Sequence, residues 1–265
     1  MRNPIVAGQF YPRDPKGLEI EISGYFENLE ISQQNLFGAV IPHAGYMFSG
    51  PVAAYAFAQL PKADTYIILG PNHTGLGSAV AVSQDTWSTP LGDVQTDNDL
   101  GKSLAGTIMD IDETAHMYEH SIEVQLPFLQ YRFGNEFKVL PICMGLQDKE
   151  TALEAGNVIS SAVQESDKKV VIIASSDFTH YEPENVALDT DKYLIESIQN
   201  MDVHEFYKRR VERSATACGY GPISAMLTST KSLGGRKGKL LKYGTSADVT
   251  GDSSAVVGYA AIVIE

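Results

Sequence analysis

Hydrophobic and polar positions in this chain follow two rhythms that alternate from end to end. Short continuous apolar runs, rich in Val and Ile and closed by Gly or Pro, occur at Leu36–Ile41, Tyr66–Leu69 and Val170–Ala174. Runs of this kind read as strands buried on both faces of a parallel sheet, because a half-exposed strand would alternate apolar with polar residues. Ala79–Val82 and Phe137–Cys143 add strands, the second carrying Pro141, which marks an edge or a strand end. Lys239–Tyr243 and Ala255–Ile264 close the chain as two more strands. Between the strands lie stretches with helical patterning. Ser49-Gly50-Pro51 reads as a cap and first-turn proline opening a helix through Phe57. Asp97–Leu104, Asp148–Val163, Asp189–Ile198 and His204–Val211 read as further helices, and Gly221-Pro222 opens one through Leu227. A loop is expected through Trp87 to Gly92 and Asp93. The alternation runs without a Pro/Ser-rich linker, a repeat or a low-complexity segment, which predicts one α/β domain over residues 1–265.

Each of the three apolar runs ends in a loop that bears a histidine. The loops are Pro42-His43-Ala44-Gly45-Tyr46, Gly70-Pro71-Asn72-His73-Thr74 and Ser175-Ser176-Asp177-Phe178-Thr179-His180. In open α/β sheets the ligand crevice lies beyond the carboxyl ends of the strands, so the three loops are expected to converge. Cys218 joins them, placed just before the helix start at Gly221-Pro222, where positive helix-end potential favours the thiolate. Gly219 and Gly221 on either side of Tyr220 would let the backbone approach a ligand. His43, His73 and Cys218 then form a three-ligand set with open positions. It follows the logic of the two-histidine, one-carboxylate face that holds Fe(II), with a softer thiolate that also admits Cu(I) or Zn(II). The plainer reading of the same residues is loop histidines satisfied by backbone groups and a small buried hydrophobe at Cys218. Cys143, without polar company, takes that plainer reading.

Asp177 and His180 at one strand end suit proton transfer, with the carboxylate orienting the imidazole; alternatively Asp177 caps a turn. Residues 116 to 120 match the H-x-x-E-H arrangement of inverzincin peptidases. Ser121 as a helix cap and Pro127 as an interruption weigh against that match, so His116 is read as a solvated surface residue. His120 and Glu123 are read as partners that support the ligands or touch substrate, and Tyr46 and Asn72 on the ligand loops join them. His204 is read as solvent-facing.

Composition narrows the function classes. A formal net charge of −13 argues against a nucleic-acid backbone as partner and reads as solubility. No run approaches the ~20 apolar residues of a membrane helix, and the start of the chain lacks a signal-peptide core. Two cysteines make no disulfide framework, which places the chain in a reducing cytoplasm.

The chain resembles the Memo family, named for a mediator of receptor-driven cell motility. The resemblance runs over essentially the whole length. It is carried by Ala7-Gly8-Gln9-Phe10-Tyr11-Pro12, Pro42-His43-Ala44-Gly45-Tyr46, Gly70-Pro71-Asn72-His73, Glu119-His120-Ser121-Ile122-Glu123, Ser176-Asp177-Phe178-Thr179-His180-Tyr181, Cys218-Gly219 and Asp252-Ser253-Ser254. It implies a single Memo-like domain with the fold of class III extradiol dioxygenases, an α/β sandwich around a mainly parallel or mixed sheet. By the same resemblance His43, His73 and Cys218 stand at the metal-ligand positions and His180 at that of the catalytic histidine. Cys218 replaces the glutamate of the dioxygenases, which changes metal preference and counts against ring cleavage. The implied activity is an iron- or copper-dependent redox or oxygen-dependent reaction, with zinc a weaker choice, on a small molecule or peptide in the crevice. Functional association with AMMECR-like and radical-SAM proteins is implied as well. Two other readings stand beside it: a non-catalytic module binding a peptide or small anion, and a zinc-dependent hydrolase.

Overall fold

The computed structural model describes residues 1–32 and 34–265. Its strands, in chain order, are β1 (Gly38–Ile41), β2 (Thr65–Pro71), β3 (Val80–Val82), β4 (Trp87–Thr89), β5 (Gly92–Thr96), β6 (Asp110–Ile111), β7 (Lys138–Met144), β8 (Val170–Ser175), β9 (His180–Glu182), β10 (Gly238–Thr245) and β11 (Val256–Ile264). The helices are α1 (Pro15–Phe26), α2 (Tyr46–Gln59), α3 (Asn98–Leu104), α4 (Leu126–Phe133), α5 (Lys149–Gln164), α6 (Glu184–Gln199), α7 (Val203–Glu212), α8 (Tyr220–Ser232) and α9 (Ala247–Thr250). The strands form one sheet whose main path runs β10-β11-β1-β8-β2-β7-β3-β6. β1, β8, β2 and β7 are mutually parallel at its centre, while β11 and β10 run antiparallel to their neighbours and β3 runs antiparallel to β7 and parallel to β6.

Two-sided burial explains the unbroken apolar runs. Ala39, Ile41, Tyr66, Ile68, Val171 and Ile173 point into one core shared with α1, α2 and α4. Val40, Ile67, Leu69, Ile172 and Ala174 point into the other, shared with α3, α5, α6, α7 and α8. The result is a three-layer α/β sandwich, as the period of two within each strand requires. Helix starts follow local chemistry: Asp14, Asp97, Asp148 and Asp202 each cap the helix that follows with a carboxylate on a backbone N–H. Among the described residues no helix is long and apolar enough to cross a membrane.

Several expectations are corrected. α2 opens at Tyr46 and Pro51 lies inside it; the Ser49 hydroxyl turns back to the Ala44 carbonyl at 2.9 Å instead of capping. The expected loop around Trp87 is the β4–β5 hairpin, with Trp87 opposite Val94. β7 is no edge strand. Its Pro141 falls where the outer neighbour changes from β5, opposite Lys138 and Val139, to β3, opposite Ile142 to Met144, so the missing N–H interrupts neither ladder. α6 begins at Glu184, ahead of the expected Asp189. α1 was not expected, although Asp14-Pro15 is a capped start and Leu18, Ile22 and Phe26 are buried at a helical spacing.

Candidate metal centre

Because β1, β8 and β2 are adjacent and parallel, their carboxyl ends bring the His43, Asp177 and His73 loops to one edge of the sheet. Backbone hydrogen bonds lock the loops together. The His43 N–H donates to Asp177 Oδ1 at 2.8 Å. The Cys218 N–H donates to the Asp177 carbonyl at 3.2 Å, and the Asp177 N–H donates back to Cys218 Sγ at 3.3 Å. Gly219 makes this approach possible: a Cβ there would lie 2.5 Å from the Ser175 carbonyl oxygen. Gln147 secures the far side, its amide donating to the Cys218 carbonyl at 3.0 Å and accepting from the Gly221 N–H at 2.8 Å.

The proton positions on the two imidazoles follow from their partners. Ser175 has one hydroxyl proton, donated to the Ser121 carbonyl at 2.6 Å. The Gln125 amide also donates to that hydroxyl oxygen at 2.8 Å, and its bond to the Pro42 carbonyl fixes which amide atom is nitrogen. The remaining contact, 3.0 Å from His43 Nδ1, must therefore run from the ring to the oxygen. Nδ1 carries the proton, and Nε2 presents its lone pair 3.2 Å from Cys218 Sγ. His73 is set the same way by Glu119, whose carboxylate accepts from His73 Nδ1 at 2.9 Å and from the His73 N–H at 2.6 Å. One donor atom each from His43, His73 and Cys218 lies within 4.8 Å of the others. A carboxylate or hydroxyl on Nδ1 with Nε2 left free is how proteins orient a metal-bound histidine.

Electrostatics divide the donor set: His43 is held ready to ligate, while His73 and Cys218 favour their protonated forms. Burial, reinforced by the neighbouring His120 and His73, pushes the His43 pKa well below its usual value and keeps the ring neutral. Burial also opposes the charged form of His73, but the Glu119 bond and charge prevail and raise it. Glu119, buried yet accepting from His73, His120 and Ser121, is held down at about 2. Burial and the Asp177 charge push the Cys218 thiol up. The helix-end effect expected at Cys218 is thus outweighed, and the protonated thiol is favoured. His73, Glu119 and His120 also lie close enough to be read as a second ligand group. Glu119 accepts four N–H bonds, three of them on Oε1, and through them it orients His73.

His120 supplies a third imidazole, stacked on His73 with ring centroids 4.8 Å apart and 5.5 Å from His43. His180 is held differently from expectation. Its Nδ1 donates to the Thr216 carbonyl at 3.1 Å and its N–H to Thr216 Oγ1 at 2.8 Å, which leaves Nε2 free. Thr216, and not Asp177, orients this ring. Asp177 instead fixes the His43 backbone, and burial raises its pKa to about 6 against the pull of that N–H and of His180 and His73.

The other expected site residues lie elsewhere. The Tyr46 hydroxyl, fully buried, donates to the Val124 carbonyl at 2.6 Å, so Tyr46 is part of the core. Asn72 holds its own loop, accepting from the Thr74 and Gly75 N–H groups. Glu123 is saturated by Arg2, Tyr11 and the Ile5 and Val6 N–H groups. His116, expected in solvent, is fully buried edge-on to Trp87 and bonded through Nε2 to the Ala81 carbonyl. Ser121 caps no helix; its hydroxyl donates to the Pro71 carbonyl. His204 is exposed, as expected. Sequence reasoning passed over Glu119, Ser175 and Gln125. For Glu119 the signal was its place beside His120 in a polar run; Ser175 and Gln125 gave none.

Comparison with known proteins places the chain. A family model described as Memo-like protein matches residues 2–263. A MEMO1 family protein of Methanococcoides burtonii is 63% identical over 265 residues, covering all of both chains. A MEMO1 family protein of Archaeoglobus fulgidus is 46% identical, covering 99% of each. The crystal structure of the uncharacterized protein JW3007 from Escherichia coli K12 superimposes with a TM-score of 0.56 at 10% identity, covering 87% of this chain and all of that one, a likeness of fold alone.

Proposed function

The chain belongs to the Memo family, and we propose that its function centres on a transition metal, iron or copper, held by His43 Nε2, His73 Nε2 and Cys218 Sγ. The proton count carries this reading: both imidazoles commit their Nδ1–H to fixed acceptors, which leaves the His73 Nε2 lone pair free and the His43 Nε2 lone pair facing only the Cys218 sulfur, within one cluster. Two imidazoles with one thiolate are softer than the histidine–carboxylate face of Fe(II) oxygenases, which brings copper alongside iron. Bound there, such a metal supplies Lewis acidity and one-electron chemistry.

The chain's own residues supply the rest. His180, with Nδ1 tied to the Thr216 carbonyl, offers Nε2 as a base or, once protonated, as an acid. Asp177, its pKa raised to about 6 by burial, sits behind the His43 backbone and holds that loop through its Oδ1. The crevice beyond the strand ends takes a small molecule or a peptide. Elemental analysis of protein purified without oxygen tests the reading, with about one iron or copper per chain expected. Cys218→Ala and His43→Ala should lose most of it while folded, and His180→Ala should keep the metal but lose oxygen- or redox-dependent turnover. A metal content unchanged in either ligand variant refutes the ligand set, and stoichiometric zinc with oxygen-insensitive hydrolysis replaces the redox reading.

A further inference from the structure

The segment that carries Glu119 and His120 has little backbone support of its own. From Thr114 to Glu119 it is a single tight turn whose bonds are long, 3.4 Å from the Met117 N–H to the Thr114 carbonyl and 3.4 Å from the Glu119 N–H to the His116 carbonyl. Bonds of that length are weak. The buried carbonyls of such a turn need other donors. One side chain from the far end of the sequence provides them. Arg2, buried at 6% exposure, donates through Nε to the His116 carbonyl at 2.8 Å, through Nη2 to the Glu119 carbonyl at 2.5 Å and through Nη1 to Glu123 Oε2 at 2.8 Å. Its guanidinium lies on the face of Trp87, 4.1 Å from the ring centroid, and Trp87 pairs with Arg2 in a backbone bridge. Glu123 returns the anchor by accepting from the Ile5 and Val6 N–H groups and the Tyr11 hydroxyl.

We propose that Arg2 is a positioning residue for the metal centre, acting on His73 through the Glu119 turn. The rigid fork of a guanidinium suits this work, since it spans two carbonyls and a carboxylate at fixed angles, which an ammonium cannot do. Without the fork the turn relaxes, the Glu119 carboxylate leaves His73 Nδ1, and the ring loses both its tautomer and its aim. The Cys218–His43 side of the site hangs chiefly on β1, β8 and α8 and meets that segment only through the Ser121 carbonyl that holds Ser175. The inference rests on the proposed metal site.

The probe is Co(II), titrated anaerobically into full-length protein. Arg2→Lys keeps the charge beside Glu123 but drops the fork, and it should weaken Co(II) binding about 10- to 100-fold, the usual loss when a ligand's orienting partner goes. The thiolate-to-cobalt charge-transfer band should persist while the d–d envelope changes, a split that general destabilisation does not produce. Arg2→Ala should bind as weakly or worse, and millimolar ethylguanidinium should restore its affinity along with the Trp87 emission of the parent. Parent-like affinity and spectrum in Arg2→Lys overturn the proposal, as does Arg2→Ala that ethylguanidinium fails to rescue. If the parent itself binds no Co(II), or Cys218→Ala binds it as the parent does, the metal-site reading falls instead.

Discussion

Replacing Glu119 by Gln separates orientation from ligation, because the amide keeps the shape and removes the charge. The carboxylate accepts four N–H groups: His73 N–H at 2.6 Å, His73 Nδ1 at 2.9 Å, His120 N–H at 2.9 Å and Ser121 N–H at 2.8 Å. Three of these bonds fall on Oε1 and only the His73 N–H falls on Oε2, so an amide with its oxygen at the Oε1 position turns its NH₂ toward one donor and leaves one buried N–H unpaired, at about 1–3 kcal/mol. The linkage argument gives a compatible figure. A carboxyl held at about 2, against 4.5 in the unfolded chain, contributes about 3 kcal/mol of stability at neutral pH. For a chain of this size that is a fall in Tm of roughly 6–12 °C. The sign follows from the depressed pKa: the contribution is fully present above pH 4.5, where the unfolded carboxyl is ionised, and is lost as pH falls toward about 2. Urea unfolding of both proteins without metal at pH 7, 4 and 3 should show a gap of about 3 kcal/mol that narrows with acidity. Co(II) affinity at pH 7 should fall about 10- to 100-fold as His73 loses its orienting partner. A variant as stable as the parent at pH 7, or a gap independent of pH, refutes the assignment of Glu119 as an ionised, four-bonded carboxylate.

Metal binding should itself depend on pH. Burial keeps the Cys218 thiol protonated at neutrality and His43 neutral, so ligation displaces the thiol proton and affinity should rise about tenfold per pH unit between 7 and 8. A flat profile across that interval would mean that the sulfur is not a ligand. Gly258→Ala tests the support of His180 from behind: an added Cβ runs into Asp191 Oδ2, which is hydrogen-bonded to Tyr243 and whose partner oxygen holds Thr179 next to His180. We expect a loss of about 1–3 kcal/mol in urea unfolding from overpacking, with metal content retained, and loss of metal would show that Asp191 also shapes the ligand set.

The central strands were legible because their environment is uniform. β1, β2 and β8 are buried on both faces, so nearly every position must be apolar and the run stands out without reference to partners. The ligand loops followed from the strands, since parallel neighbours put their carboxyl ends on one edge. The β4–β5 hairpin was not legible. Trp87 is fully buried beneath Arg2, and that burial comes from a segment distant in sequence and not from local alternation. Pro51 misled for a related reason, because a proline near a helix start is usual, while here the helix begins earlier, at Tyr46, and carries the proline within it.

The ligands and their supports differ in how far their information travels along the chain. His43, His73 and Cys218 each sit next to a local signal, a strand end or a helix start, and could be named singly. What turns them into a site is a set of bonds that close over long separations: Arg2 to Glu119 and Glu123, Glu119 to His73, Gln125 to Ser175, and Ser175 to His43. No periodicity encodes those pairings, because each partner is a common polar residue that carries no local motif. The same misreading explains His116, which looked solvated in a polar run. It is buried because Arg2 and Trp87 close over its turn, with its ring bonded to the β3 backbone at Ala81. A sequence therefore declares which atoms can bind a metal more readily than which atoms aim them. The aiming groups are where substitutions distant from the ligands should alter metal affinity first.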